Sequence, residues 1–520
     1  MAERMHGGAP LLHIPLNAPA FSGLNSQASA AILGPEWATR LENTVLDQFS
    51  RLSGRKGIEK RNTSTLTGDI KYVLEHYDAT ADAYHLIAVL DTSGTITMRK
   101  STDYGANWTD VSGTATLSDP NMLLVELNGD VIGLQDGETP IIYSGTSFSN
   151  VSATNMPEYN VGCAAFGRIW SKRSATTVAY TGLLDPTDWN ATGSGEIDLT
   201  SVWQNGDVVT AVSEFNGQLV IFGRHHVVIY DDNSGSELGL DPANAVLVDI
   251  ISNVGCIARD SIQVVNGDLW FLSDSGVQRL GRLIETTNNP LNNISNNIQD
   301  DLQSRVASAT NFDIKSVYSP RERFYLLAIS EGSGGETGVT YVFDTQGALQ
   351  DGSYRVTGVW NNLVPRAAVY GNDQNLYMAV KDKSGYLYIY QGYDDDGDAY
   401  VVNYESGWND LESPNLKMLK RINGLLYVQS ETSVTFKWAW DFKTNFKSGT
   451  VTYPANAGAA EWGTAEWGIA EWGGGLTIQE KRVPGSGTGE YIKVGFSTQV
   501  NGEVFVLQQL SLYMKLGRLR

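Results

Sequence analysis

Asn-Gly pairs recur along this chain, among them Asn128-Gly129, Asn216-Gly217, Asn266-Gly267, Asn423-Gly424 and Asn501-Gly502. Both residues tolerate positive φ, so an Asn-Gly pair between apolar alternating runs is the strongest short-range signal for a two-residue hairpin. The runs that follow have the matching texture: DVIGLQDGETPIIYSG (130–145), QLVIFGRHHVVIYDD (218–232) and DLWFLSDSGVQRLG (268–281). AFGRIWSKRSATTVAYTG (165–182), ERFYLLAIS with GVTYVFDT (322–345) and QNLYMAVKDKSGYLYIYQG (374–392) align with them at intervals of about 40 to 60 residues, the spacing of a four-stranded propeller blade. With HLIAVLDTSGTITMRK (85–100) as the first unit, the sequence predicts an all-β fold: a β-propeller of about seven blades, six to eight being possible, over 61–392. A strand-rich sandwich is the competing architecture.

Composition supports a large, turn-rich β protein. The 520 residues exceed one ordinary core, and 54 glycines against 15 prolines suit many tight turns. The balance of 37 basic and 58 acidic residues, net −21, argues against gripping a nucleic-acid backbone, which needs cations to neutralise phosphates. Cys163 and Cys256 are too few for a disulfide framework or a Cys-rich zinc site, and free buried thiols fit assembly in a reducing cytoplasm. There is no run of about 18 apolar residues to span a membrane. The first 21 residues lack both a basic n-region and a continuous apolar h-region, so a Sec signal is not expected.

The eight residues STDYGANW resemble an Asp-box, the Ser-x-Asp-x-Gly-x-x-Trp turn best known from sialidase propellers. Within a blade the motif has a mechanical explanation. Ser101 and Asp103 open the turn, the Asp103 carboxylate accepts its amides, Gly105 supplies positive φ, and Trp108 packs beneath it. The expected role is a structural turn.

Other segments mark the domain plan. Residues 1–60 have few periodic elements and are expected to form an arm, or entry segment, wrapping on the body. NNISNNIQDDLQSRVASA (292–309) places Ile294, Ile298, Leu302 and Val306 on one stripe and predicts a helix against the propeller's side. After YDDDGDAY (393–400) the texture changes, and 393–520 is expected to be an additional C-terminal β-sandwich-like domain. It contains AEWGTAEWGIAEWGG (460–474), whose Trp462, Trp467 and Trp472 recur every five residues. That period gathers them on no face of a strand or helix. A looped tip contacting a partner and an indole cluster packed on its own domain are both open.

Catalytic signatures are few. There is no GxSxG elbow, HExxH helix or Walker loop, and sequence alone assembles no glycosidase carboxylate pair. Neighbouring His225 and His226 would point to opposite faces of a strand and are poorly placed to share a metal. Asp394, Asp396 and Asp398, with Asp395 around Gly397, are calcium candidates, although the bidentate Glu of an EF-hand loop is missing and a solvated turn is the favoured alternative. No catalytic residue and no cofactor are assigned.

GRIWSKRSATTVAYTGLLDPTDWN, GDVVTAVSEFNGQLVIFGRHHVVIYDD and DLWFLSDSGVQRLG resemble the propeller of tail nozzle proteins of short-tailed bacteriophages, the group of tail tubular protein B and packaged-DNA stabilisation proteins. The later YDDDGDAY, KMLKRINGLLYV, the AEWG repeats and GEYIKVGFSTQVNGEVFVLQQLSLYMKLGR are similar to C-terminal parts of such proteins, so the likeness spans roughly 160–520. It lies in pattern and order, and it carries over no active-site residue. The Asp-box is not part of it. The resemblance implies a non-enzymatic virion protein, assembled in the host cytoplasm as a ring of six copies in the tail. Such a ring contacts the phage adaptor below the portal and a tail fibre or tailspike, and it retains and then passes genomic DNA without sequence-specific binding. An acidic channel wall suits that passage. The alternative is a carbohydrate-binding or glycoside-cleaving propeller.

Overall fold

The computed structural model describes residues 11–517 except 18, 48, 191–192, 204–205, 233–239, 282–292, 310–312, 332–336, 429 and 455–476. Consecutive antiparallel sheets follow one another along the chain. Four four-stranded sheets cover Asp69–Asp110, Leu123–Asn150, Gly162–Asp198 and Val209–Ser252, and Gln263–Arg279 forms a narrower three-stranded one. Ile314–Trp360 supplies the first four strands of a 10-stranded sheet, and Pro365–Tyr390 supplies three strands of a further four-stranded sheet. The first strands of neighbouring sheets touch in turn, the fourth sheet meeting the fifth through the 3-10 turn Arg259–Ser261, and Pro365–Tyr370 touches Asp69–Asp78, so the row closes into a circle. Among the described residues this is a β-propeller with six four-stranded blades and a seventh that shows three strands.

The apolar runs have a direct cause in this architecture. A blade is covered on both faces by its neighbours, so its middle strands need apolar residues at every position rather than at every second one. In QLVIFG (218–223) and DLWFLS (268–273) every residue after the first is buried. The core is accordingly divided into layers between blades. Ile87, Val89 and Met98 of the first blade pack on Val131, Ile141 and Tyr143 of the second. Ile132 and Leu134 of the second then meet Ile169 and Ala179 of the third.

Three Asn-Gly pairs make the expected turns. Asn128-Gly129, Asn216-Gly217 and Asn266-Gly267 have positive φ at both positions, 54° and 87°, 52° and 77°, and 50° and 79°. They join register pairs Leu127↔Asp130, Phe215↔Gln218 and Val265↔Asp268. Asn423-Gly424 departs from expectation, because it lies inside the strand Lys417–Val428. There a glycine is needed for close packing: an added Cβ would sit 2.4 Å from the Phe436 ring, and the Gly424 carbonyl accepts a 2.9 Å bond from the Tyr453 hydroxyl. Asn501-Gly502 lies in the four-residue loop between Val500 and Phe505 rather than in a two-residue hairpin.

After the last blade the chain forms two facing sheets. One continues the sixth sequential blade through Trp37–Glu42, Tyr400–Ser406, Ile492–Val500, Thr432–Trp440 and Lys447–Tyr453. The other orders Thr477–Pro484, Lys417–Val428, Phe505–Leu516, Leu52–Gly54 and Thr44–Leu46, with Leu12–Asn17 also paired to Phe505–Leu516. Phe436 and Val494 of the first sheet share one apolar cluster with Leu426 and Leu510 of the second. Residues 12–60 are therefore more than a wrapping arm. Their strands lie inside both sheets, and Ile58–Lys60 is the outer strand of the last blade, paired with Tyr388–Tyr390. The helix expected at 292–309 is shorter, a 3-10 turn Asn296–Ile298 continuing as an α-helix Gln299–Val306. Ile294, Ile298 and Leu302 are fully buried, while Val306 is half-buried at the margin.

Candidate functional site

The Asp-box lies where the propeller closes. The Asp103 carboxylate accepts the Asn107 backbone N–H and side-chain amide, both at 2.8 Å, and the Ser101 hydroxyl at 2.8 Å. The Gly105 N–H donates to Ser101 Oγ at 2.8 Å, and the Trp108 indole donates to the Gly105 carbonyl at 3.0 Å. Gly105 has φ of +88°, and a Cβ there would meet Leu387 of the last blade at 2.6 Å. Arg61, directly after the closing strand, donates to the carbonyls of Asp103 and Tyr104. Tyr104 stacks on Tyr377, again of the last blade. These contacts join the first blade to the last.

The acidic loop is similarly engaged. Asp395 receives both terminal nitrogens of fully buried Arg55 at 2.7 and 2.6 Å. Asp396 pairs with Lys60 at 2.7 Å, Asp398 approaches Lys383 at 3.5 Å, and Asp394 caps the Gly397 N–H at 2.8 Å. The calcium candidates Asp394, Asp396 and Asp398 thus face three different partners. Among the described residues no group of three His, Cys, Asp or Glu side chains is placed to hold a metal.

The histidine pair is divided by a turn. His226 starts a strand and its Nδ1 lies 2.9 Å from Asp207, whereas His225 sits in the preceding turn beside Asp274. Asp207 also accepts the N–H groups of Val208, Arg224 and His225. Cys256 is buried, and burial pushes its thiol up to about 12, which favours the protonated thiol over the thiolate at neutral pH. Trp462, Trp467 and Trp472 lie outside the described residues.

Sequence reasoning missed a feature on the propeller axis. A cavity of about 240 Å³ is lined from all seven blades. Lys71, Arg259, Lys315 and Arg366 form one side. They come from four blades that are consecutive around the ring, each at or just before the start of the blade's first strand. Leu123, Gly162, Ala211 and Val212 form the opposite, apolar side. A signal was present: DIKYV (69–73) and DIKSV (313–317) repeat one pattern at two blade starts, with the lysine at the same place. Arg366 pairs with Asp69, and Lys315 and Arg259 share Asp260. Burial pushes the Asp260 carboxyl up, but the two cations outweigh it and hold the group below its ordinary range.

No family model matches this chain, and no curated protein matches it. Solved structures match this chain at low similarity. The computationally designed Ika8 protein is 12% identical with a TM-score of 0.36, the match covering 64% of this chain and 100% of that one. BBS1N in complex with ARL6DN is 9% identical with a TM-score of 0.38, over 65% and 97%. BamB from Moraxella catarrhalis is 11% identical with a TM-score of 0.35, over 68% and 96%. The all-β propeller assignment rests on strand pairing.

Proposed function

We propose that this chain is a structural, non-enzymatic building block of a bacteriophage tail nozzle, associating with further copies into a ring that encloses a DNA conduit. One observation carries the association. The outer strand of the fourth blade, Ala245–Ser252, pairs on its outer side with no further strand among the described residues and exposes Val246, Leu247, Val248 and Ile250 at 47%, 38%, 53% and 38%. A long apolar edge strand is a template for pairing with another chain, and this one is interrupted by a single bulge at Val248, opposite Ile229 and Tyr230. In a chain of net −21, four neighbouring apolar side chains on one edge favour burial against a like surface over exposure.

The geometry also limits how a conduit is made. A 240 Å³ axial cavity is far too small for a nucleic-acid strand, so DNA would pass between copies and not through a propeller. Continuity of one sheet from propeller to sandwich gives each copy the stiffness such a wall requires. Adaptor and fibre or spike contacts are part of the proposal.

Mass measurement of the purified chain followed by negative-stain microscopy tests it. A closed ring with a central channel is expected, and Val248→Lys should shift the population toward single chains. A wild-type chain that stays monomeric at tens of micromolar, or that cleaves or retains glycans, would sink the proposal.

A further inference from the structure

We propose that the axial cavity is a binding site for a small organic anion, a carboxylate or phosphate monoester, whose charged end meets Lys71, Lys315 and Arg366 and whose apolar end lies against Leu123 and Val212. The inference is independent of the assembly reading and begins from charge. The cavity wall carries four cations and one carboxylate, Asp260. Adding Asp69, which pairs with Arg366 and lies 3.6 Å from Lys71, leaves an excess of two positive charges; adding Asp91, 3.9 Å from Lys71, still leaves one. That local sign opposes the net charge of −21.

Hydrogen-bonding capacity points the same way. An ammonium has three donors and a guanidinium five. The Lys71 side chain is only 26% exposed, yet the two carboxylate neighbours of its ammonium lie beyond 3.5 Å, and it donates no hydrogen bond among the described residues. Lys315 uses one donor, on Asp260, and Arg366 uses one, on Asp69. Spare donors on three half-buried cations lining one cavity form a receptor for an oxyanion, because charge-assisted bonds are strongest where water is scarce.

Size and polarity narrow the ligand. Pockets for drug-sized ligands span about 300–1,000 Å³, so 240 Å³ takes a molecule of only a few heavy atoms. The apolar wall opposite the cations would be poorly used by a bare mineral anion. A short alkyl carboxylate uses both sides.

Titration calorimetry of the full chain at pH 7 with hexanoate, acetate and inorganic phosphate is the test. Hexanoate is expected to bind at one site per chain, at least tenfold more tightly than acetate. Lys71→Gln removes no hydrogen bond and should leave the melting temperature unchanged while weakening hexanoate at least tenfold. Ser213→Asp, which places a carboxylate in the same cavity, should do likewise. Absence of saturable binding of any probe to the folded chain would overturn the proposal, as would affinity that survives both variants. Equal affinity for acetate and hexanoate would overturn the assignment of the apolar wall.

Discussion

The propeller and the sandwich are both built of β-strands but join them over opposite distances in the chain. A blade is local: Leu127 pairs with Asp130, and the next strand follows within a few residues. The sandwich is remote: Leu12 pairs with Met514, Ala38 with Ser406 and Val506 with Ser53. Local pairs close small loops and remote pairs close large ones, so the propeller's units can form as the chain is made, whereas the sandwich must wait for its last strand. The N-terminal segment belongs to both bodies, with Ile58–Lys60 closing the last blade and Trp37–Glu42 paired within the sandwich, and so couples them.

The sharpest way to break that coupling is at Arg55. Its guanidinium is fully buried, bonded to Asp395 and Asn43 and placed over Tyr400, and its backbone carbonyl accepts the Tyr400 hydroxyl. Arg55→Ala leaves Asp395 buried without its partner and should cost about 3–5 kcal/mol in urea unfolding. The double variant Arg55→Met with Asp395→Leu should recover most of the loss. If the single change costs under about 1 kcal/mol, the joint between the two bodies lies elsewhere.

A smaller loss is expected at the propeller's own seam. Asp103→Ala removes the bonds from Ser101 and Asn107 and should cost about 1–2 kcal/mol, without altering the sandwich. The pH dependence has a definite sign. Burial pushes the Asp103 carboxyl up, but the hydrogen bonds from Asn107 and Ser101 outweigh it and hold the group below its ordinary 3.8. The unfolded chain therefore takes up the proton first, and the contribution is present above about 3.8 and lost as pH falls through the lower, folded value. Asp103→Asn should flatten acid unfolding in that window, as followed by circular dichroism.

Within the first blade, buried His85 gives a weaker effect at milder pH. Burial, then the Lys100 charge, depresses the imidazole below its ordinary 6.5. The unfolded state binds the proton more readily, so stability should decline as pH falls from about 6.5 toward the folded value. His85→Gln should remove part of that slope, and an unchanged slope would assign it to other groups.

The same contrast explains which parts were legible in sequence. Blade turns declare themselves through two adjacent residues, so Asn128-Gly129 and Asn216-Gly217 were readable, while Phe166-Gly167 makes an equivalent turn at φ of 55° and 66° with a residue that gives no such signal. Strands 12–54 showed little because their partners lie hundreds of residues away. The acidic loop was visible as a loop, but its engagement depends on the distant N-terminal segment that carries Arg55 and Lys60 and on Lys383 of the last blade. The axial cluster was harder to read for the same reason, since four blades contribute one cation each and only ring closure brings them together.

Turn chemistry also offers a gain in stability confined to one hairpin. Ser93-Gly94 joins Thr92 to Thr95 with φ of 51° and 93°, the geometry that favours Asn-Gly, yet an exposed serine holds the first position. Ser93→Asn should stabilise the chain by about 0.5 kcal/mol, because asparagine enters the left-handed region at less cost than serine. The reciprocal change, Asn216→Ser at an exposed turn with φ of 52°, should lose a similar amount. Thermal unfolding of the two variants together tests whether blade turns act independently. Opposite shifts that cancel in the double variant are expected, because sites on separate blades with no shared partner add. A double variant departing from that sum by more than about 0.5 kcal/mol would mean that turns communicate around the ring, and the propeller would then be less local than its strand pairing implies.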